Sequence, residues 1–237
     1  SGKTTTLYAA LAQIDSLSRS VFTLEDPVEY SLPMIRQTQI ASEIGMSFAA
    51  GLRALLRQDP DVILVGEIRD EETAQLATRA ALTGHLVFST LHTNSAAAAI
   101  PRLINMGVEP YLLASALVAI VAQRLVRRIC RDCAEPVEDP LAEFVRHGVE
   151  WNLPEAPKLM KGKGCPSCWG TGHMGRVAVY ETLMVDGAIA NALRPGVPED
   201  EIRRLAVAGG MTTLTDDAIR KAALGLVDLD DALRVVG

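Results

Sequence analysis

The sequence predicts an α/β protein built on a mostly parallel sheet, carrying a cysteine-stapled lobe and a small helical end-piece. Three observations lead there. Short apolar runs at Ser20–Asp26, Val62–Val65 and His85–His92 alternate with stretches of helical spacing, the pattern of strands joined by crossover helices. Each run ends in chemistry-bearing residues, Glu25 and Asp26, then Glu67, then His92, and parallel sheets bind ligands at the carboxyl ends of their strands. Four cysteines fall in two CxxC pairs.

Composition sets the class. With 49% hydrophobic and 22% charged residues, the 237-residue chain is an ordinary globular sequence, long enough for one sizeable core and a smaller appendage. A net charge of -6 and only 4% aromatics argue against a dedicated nucleic-acid binder, which is usually basic and offers stacking platforms. The longest apolar run, Leu112–Ala122, is too short to span a bilayer. No signal peptide is evident, so a cytoplasmic protein is expected, free to dock on a membrane protein.

In chain order, Ser1-Gly2-Lys3-Thr4 match the last four residues of the phosphate-binding pattern G-x-x-x-x-G-K-[ST],. Lys3 would reach the β/γ-phosphates, Thr4 would bind Mg²⁺, and the start of the adjoining helix would face the phosphates. The expected sheet lacks the strand that normally precedes this loop. A bare GKT also occurs at ordinary helix starts, so its weight comes from the acids at the later strand ends. Glu25 and Asp26 close the next strand, and Pro27 biases Asp26 to extended geometry. Strand-end acids are often solvated turn residues. Two sets beside a GKT point instead to Mg-nucleotide chemistry, in which carboxylates hold the metal's waters and orient a nucleophilic one.

Ser47–Gln58 has helical spacing, with Arg53 and Arg57 read as surface or salt-bridge residues. The stretch DPDVILVGEIRD, Asp59–Asp70, reads as a doubly buried central strand that delivers Glu67 to the sheet edge,. Asp70 caps the next helix, which Gly84 ends. His85–His92 reads as a further buried strand, and Thr93-Asn94-Ser95 cap a helix that Pro101 should kink or shorten,. His92 is either structural or a γ-phosphate sensor. Tyr111–Arg131 reads as one long helix whose last arginines suit its dipole,.

Cys130, Cys133, Cys165 and Cys168 have the spacing of two metal knuckles. With no histidine in either, they suggest a closed structural Zn²⁺ site; paired redox motifs fit less well. The thirty-odd residues between them are expected to form their own lobe, and the glycines of Gly170–Gly175 serve its turn. Arg176–Met184 reads as a strand, succeeded by helices at Gly187–Leu193, Glu199–Ala208, Asp216–Leu224 and from Asp228. The expected domains are 1–129, 130–172 and 173–237.

Taken together, GKTTTLYAAL, TLEDPVEY, RQDPDVILVGEIRDEETAQLATRAALTGHLVFSTLHTNSA, AQRLVRRIC with its four cysteines, and GRVAVYETL resemble the bacterial type II secretion and type IV pilus assembly ATPases. The resemblance covers essentially the whole chain and implies a RecA-like P-loop ATPase core acting as a homo-hexamer. Such a ring works on an inner-membrane platform protein and associated secretion or pilus components, peripheral to the membrane, with no nucleic acid as partner. Motif by motif, it implies that Ser1, Gly2, Lys3, Thr4, Thr5 and His92 bind ATP. Thr4 reaches Mg²⁺ through the nucleotide, Glu67 takes the Walker B role, and Glu25 polarises the attacking water; Glu25 and Glu67 could exchange or share these roles. Gly66 stands where many P-loop enzymes have an aspartate. The family's N-terminal domain, which helps cover the nucleotide, is not in this sequence, so the 237 residues alone are expected to hydrolyse ATP weakly. A zinc-stapled nucleic-acid-binding protein on the same fold and an inactive scaffold subunit are the competing readings.

Overall fold

The computed structural model describes residues 2–151 and 156–237. In chain order the elements are α1 (Lys3–Leu11), β1 (Val21–Glu25), β2 (Arg36–Gln39), α2 (Phe48–Leu55), β3 (Val62–Val65), α3 (Glu71–Leu82), β4 (Leu86–Ser89), α4 (Ala99–Asn105) and α5 (Pro110–Ala116). Then come β5 (Ala119–Ile129), β6 (Ala134–Pro136), α6 (Pro140–Arg146), β7 (Met160–Gly162), β8 (His173–Met184), α7 (Gly187–Ala192), α8 (Glu199–Ala208), α9 (Leu214–Ala223) and α10 (Leu229–Val236). Among the described residues, no helix is long and apolar enough to cross a membrane.

The chain forms two compact units, each drawn from separate segments: Lys3–Val121 with Thr182–Met211, and Ala122–Glu181 with Thr212–Gly237, to which Gly2 also belongs. The first holds the predicted parallel sheet, in the order β2-β1-β3-β4. Its register runs Val21 beside Val62 beside Leu86, through Leu24 beside Val65 beside Ser89. Strand β3 is buried on both faces because its side chains alternate between two clusters. Ile63 and Val65 pack with Phe48, Leu52, Ala77 and Ala80 of α2 and α3. Val62 and Leu64 pack with Leu7, Leu11 and Phe88. Each such side chain contributes about 1.5–3 kcal/mol by leaving water. Asp70 caps α3 as expected, accepting from Thr73 N at 2.8 Å.

The second unit packs β5, β8, α9 and α10 around Val126, Val179, Ala218, Ala222, Val227 and Ala232, with Phe144 of α6 joining them. Strands β6 and β7 pair antiparallel between the two cysteine knuckles, so the intervening segment has secondary structure of its own.

Three expectations are corrected. Tyr111–Arg131 is not one helix: α5 ends at Ala116 and β5 takes over. The β-branched run Val118, Ile120 and Val121 favours extended backbone, and β5 pairs with β8. The arginines therefore do not serve a helix end; Arg127 instead donates two hydrogen bonds to the buried Asp231, at 2.6 and 2.7 Å. Strand β4 is half-exposed rather than buried, since among the described strands it pairs only with β3. The helix after it starts at Ala99, with Pro101 in its first turn, where proline is tolerated,. Strand β2 has no counterpart among the expected strands because Arg36-Gln37-Thr38-Gln39 has no apolar pattern; Arg36 instead lays its guanidinium over the Phe22 ring, 4.9 Å from the centroid.

Leu64→Ala is expected to lower stability by about 2–5 kcal/mol, the range for emptying a core site. Chemical denaturation would read this as an earlier midpoint with the same slope.

Candidate active site and metal centre

Four elements of the first unit bring their ends to one edge of the parallel sheet. Helix α1 begins there with Lys3, whose Nζ lies 3.5 Å from the carbonyl of Leu91, next to His92. Gly2 precedes it with φ of +74°, while Thr4 and Thr5 lie in its first turn. Ser1 falls outside the described residues.

Strand β3 ends at Val65, and Gly66 then passes so close to β1 that a Cβ would sit 3.0 Å from the Leu24 carbonyl. The Gly66 N–H donates to that same oxygen at 2.7 Å. A side chain at this position would have to push the neighbouring backbone back by a few tenths of an ångström, so glycine suits the close pass. The turn is pinned from the other side by Thr90, whose hydroxyl donates to Gly66 O at 2.7 Å, and by Ile68 N, which donates to Thr90 O at 3.0 Å.

Glu67 emerges from this turn with its side chain 12% exposed. His92 Nε2 lies 3.2 Å from Glu67 Oε2, and the Arg69 guanidinium pairs with Oε1. Arg69 also reaches Asp26, at 3.8 Å. Burial pushes the Glu67 carboxyl up, but Arg69 and then His92 outweigh it and hold it below the usual carboxylate range,. His92 itself is open, with 76% of its side chain exposed. Sequence reasoning missed Arg69, although it lies two residues past Glu67 on extended chain, where side chains share a face. Arg53 pairs with Glu72 on the surface, in keeping with its reading as a salt-bridge residue.

Glu25 has a different environment. It closes β1 and is 3% exposed. Its Oε1 accepts from Thr23 at 2.5 Å and from Gln37 at 3.1 Å, and its Oε2 accepts from the Tyr8 hydroxyl. Neutral donors, rather than cations, compensate its burial. Sequence reasoning singles out neither Tyr8 nor Gln37. Their partnership depends on which strand β2 joins, and no local pattern states that.

In the second unit the four cysteines converge. Their sulfurs lie 3.9 Å apart for Cys130 and Cys165, 3.8 Å for Cys133 and Cys168, and 3.7 Å for Cys165 and Cys168. All four are free thiols. A tetrahedral ion with metal–sulfur bonds of about 2.3 Å separates its sulfurs by about 3.8 Å, and all four sulfurs lie within 4.8 Å of one another, so the donor set fits zinc. Backbone N–H groups of Cys165 and Gly172 point at Cys168 Sγ, each at 3.2 Å, and that of Gly164 points at Cys133 Sγ at 3.3 Å. Burial pushes the Cys168 thiol up, but these N–H bonds and the neighbouring thiols outweigh it and bring it down to about 6. Burial pushes Cys133 up to about 12. Crowded sulfurs resist a second negative charge unless a cation joins them. Gly162 and Gly172 let the two knuckles meet: a Cβ on Gly162 would fall 2.0 Å from the Gly172 carbonyl.

A family model described as "Type II/IV secretion system protein" matches residues 1–234. The type IV pilus assembly ATPase PilB of Thermus thermophilus is 48% identical over 233 residues, covering 98% of this chain and 26% of that protein. The type II secretion system protein HxcR of Pseudomonas aeruginosa is 47% identical over 235 residues, covering 99% of this chain and 46% of that protein. The chain thus spans between a quarter and half of the length of these relatives. Among solved structures, the pilus retraction motor PilT with bound ADP superimposes with a TM-score of 0.70 at 32% identity, covering 99% of this chain and 57% of that one.

The Glu67–Arg69 pair makes a pH prediction. A carboxyl held low in the folded state contributes stability that is present above its unfolded pKa, about 4.3, and lost as pH falls through the folded value. In Arg69→Ala, carboxyl ¹³C NMR should show Glu67 titrating at higher pH, and stability should fall less steeply below about pH 4.3. An unmoved titration would remove Arg69 as the cause.

Proposed function

We propose, since this chain belongs to the type II/IV secretion system protein family, that it is the catalytic part of an ATP-hydrolysing motor powering assembly of a pilus or a secretion pseudopilus. The observation that carries this is the convergence of Lys3, Glu67 and His92 on one edge of a parallel sheet. The bound ADP of the PilT structure supports a nucleotide as the ligand of that edge. Pilus-assembly and secretion relatives are equally similar, at 48% and 47% identity, so the proposal names the motor step they share. The working form is a homo-hexamer at the cytoplasmic face of the inner membrane, pushing on a platform protein; the names of the relatives support this placement in a secretion or pilus machine.

The chemistry divides among named side chains. The Lys3 ammonium, released from the Leu91 carbonyl, neutralises the β- and γ-phosphates, and the N–H groups at the start of α1 face them. Thr4 and Glu67 would hold Mg²⁺, Thr4 directly and Glu67 through its waters. Magnesium supplies the positive charge that offsets charge developing on the transferred phosphoryl group. His92, exposed beside Glu67, donates a hydrogen bond toward the γ-phosphate. Glu25 polarises the attacking water. In the intact protein, Lys3→Ala, Glu25→Gln and Glu67→Gln are each expected to reduce ATP turnover by about 10²-fold or more. Wild-type turnover in both carboxylate variants would overturn the assignment.

The four cysteines hold one Zn²⁺ as a closed structural site, in this same proposal. The fit of their spacing to a tetrahedron supports it. Structural zinc can supply on the order of 10 kcal/mol to folding, enough to order the short β6–β7 pair. Elemental analysis should find one zinc per chain, absent in Cys165→Ser, together with a lower melting temperature. A fully folded, zinc-free wild-type protein would refute it.

A further inference from the structure

The Glu25 carboxylate is oriented by a hydrogen-bond cage drawn from three elements. Thr23 of β1 and Gln37 of β2 donate to Oε1 at 2.5 and 3.1 Å, and Tyr8 of α1 donates to Oε2. The cage members are themselves fixed. Gln37 Oε1 accepts from Leu32 N at 2.6 Å, and its Nε2 lies 3.2 Å from Tyr30 O and 3.3 Å from the Tyr8 oxygen. The Tyr8 ring is 1% exposed and meets Tyr30 edge-on, with centroids 4.7 Å apart. Burial, then the Glu25 hydrogen bond, pushes the Tyr8 phenol up to about 12, so it keeps its proton and remains a donor at physiological pH.

A carboxylate has about four lone-pair sites, and three donors leave it little freedom to turn. Of the three, Tyr8 alone lies on the helix that begins with Lys3 and Thr4. It joins the phosphate-facing helix to the carboxylate at the end of β1 across 17 residues of sequence.

We propose that Tyr8 is a positioning residue for Glu25, its hydroxyl tying the orientation of that carboxylate to helix α1. The proposal rests on the reading of Glu25 as the water-polarising group of an ATPase. It adds a residue that touches neither nucleotide nor water and acts through Glu25.

The test is a double-mutant cycle in the intact protein, with ATP turnover measured against ATP concentration for wild type, Tyr8→Phe, Glu25→Gln and the double variant. Phenylalanine keeps the ring and its packing on Tyr30 and removes only the hydroxyl. Tyr8→Phe should lower kcat by about tenfold or more while KM for ATP stays within about twofold, the pattern of a lost transition-state interaction. In the Glu25→Gln background the same change should cost nothing further, because the effect passes through Glu25. Wild-type affinity for ADP by Tyr8→Phe checks that the variant is folded. The positioning role is overturned by an unchanged kcat in Tyr8→Phe, or by an equal loss with and without the Glu25 carboxylate. If Glu25→Gln alone turns over normally, the role of Glu25 fails, and this proposal with it; loss in Glu25→Gln without loss in Tyr8→Phe overturns the positioning alone.

Discussion

The exclusion of water from both faces of β3 is the constraint on which the first unit depends. Val62, Ile63, Leu64 and Val65 are all buried, two toward α2 and α3 and two toward α1 and the β4 side. With side chains alternating between two packed layers, the strand has no freedom to slip, since a one-residue shift would exchange both layers at once. The position of Val65 therefore fixes that of Gly66, the close pass of Gly66 over Leu24 fixes the turn, and the turn delivers Glu67 beside His92. The placement of the acid is a consequence of hydrophobic packing several residues away.

The two acids at that edge are kept by opposite means. Glu67 is stabilised by the Arg69 guanidinium on one oxygen and a hydrogen bond with His92 on the other. Glu25 is enclosed by neutral donors and shielded from solvent. Under the proposed roles, an acid that balances a metal needs exchangeable counter-charge and an acid that orients a water needs a fixed direction, and the surroundings of the two residues differ in that same sense.

The second unit solves a different problem. Its core mixes Val126, Phe144, Leu159, Val179 and Leu214 with alanines of α9 and α10, and its lobe has strands only three residues long. Two devices bring order there. The close approach of Gly162 and Gly172 joins the knuckle backbones, and N–H groups aimed at sulfur orient the Cys133 and Cys168 thiols. Elsewhere in this unit the Arg127 guanidinium, itself half-exposed, pairs with the buried Asp231 and ties β5 to α10.

Local sequence determined the strands β1 and β3, the helices from α7 onward, the caps Asp70 and Asp228, and the candidate residues Lys3, Glu25, Glu67, His92 and the four cysteines. These arise from periodicity, turn chemistry and motif spacing, all of which act within a few residues. What the tertiary structure decided is whatever depends on a partner distant in the chain. The segment after Ala116 is a strand because β8 is there to pair with it, and Arg36–Gln39 is a strand because β1 offers a free edge. Arg69 gains its meaning from Glu67 and Asp26 together. The stretch Asp59–Asp70 names its acid in sequence, but only packing shows that Glu67 stands between Arg69 and His92 while Glu25 accepts from Tyr8. Hydrogen bonds and desolvation act through space, and sequence spacing records them only where chain neighbours are also neighbours in the fold.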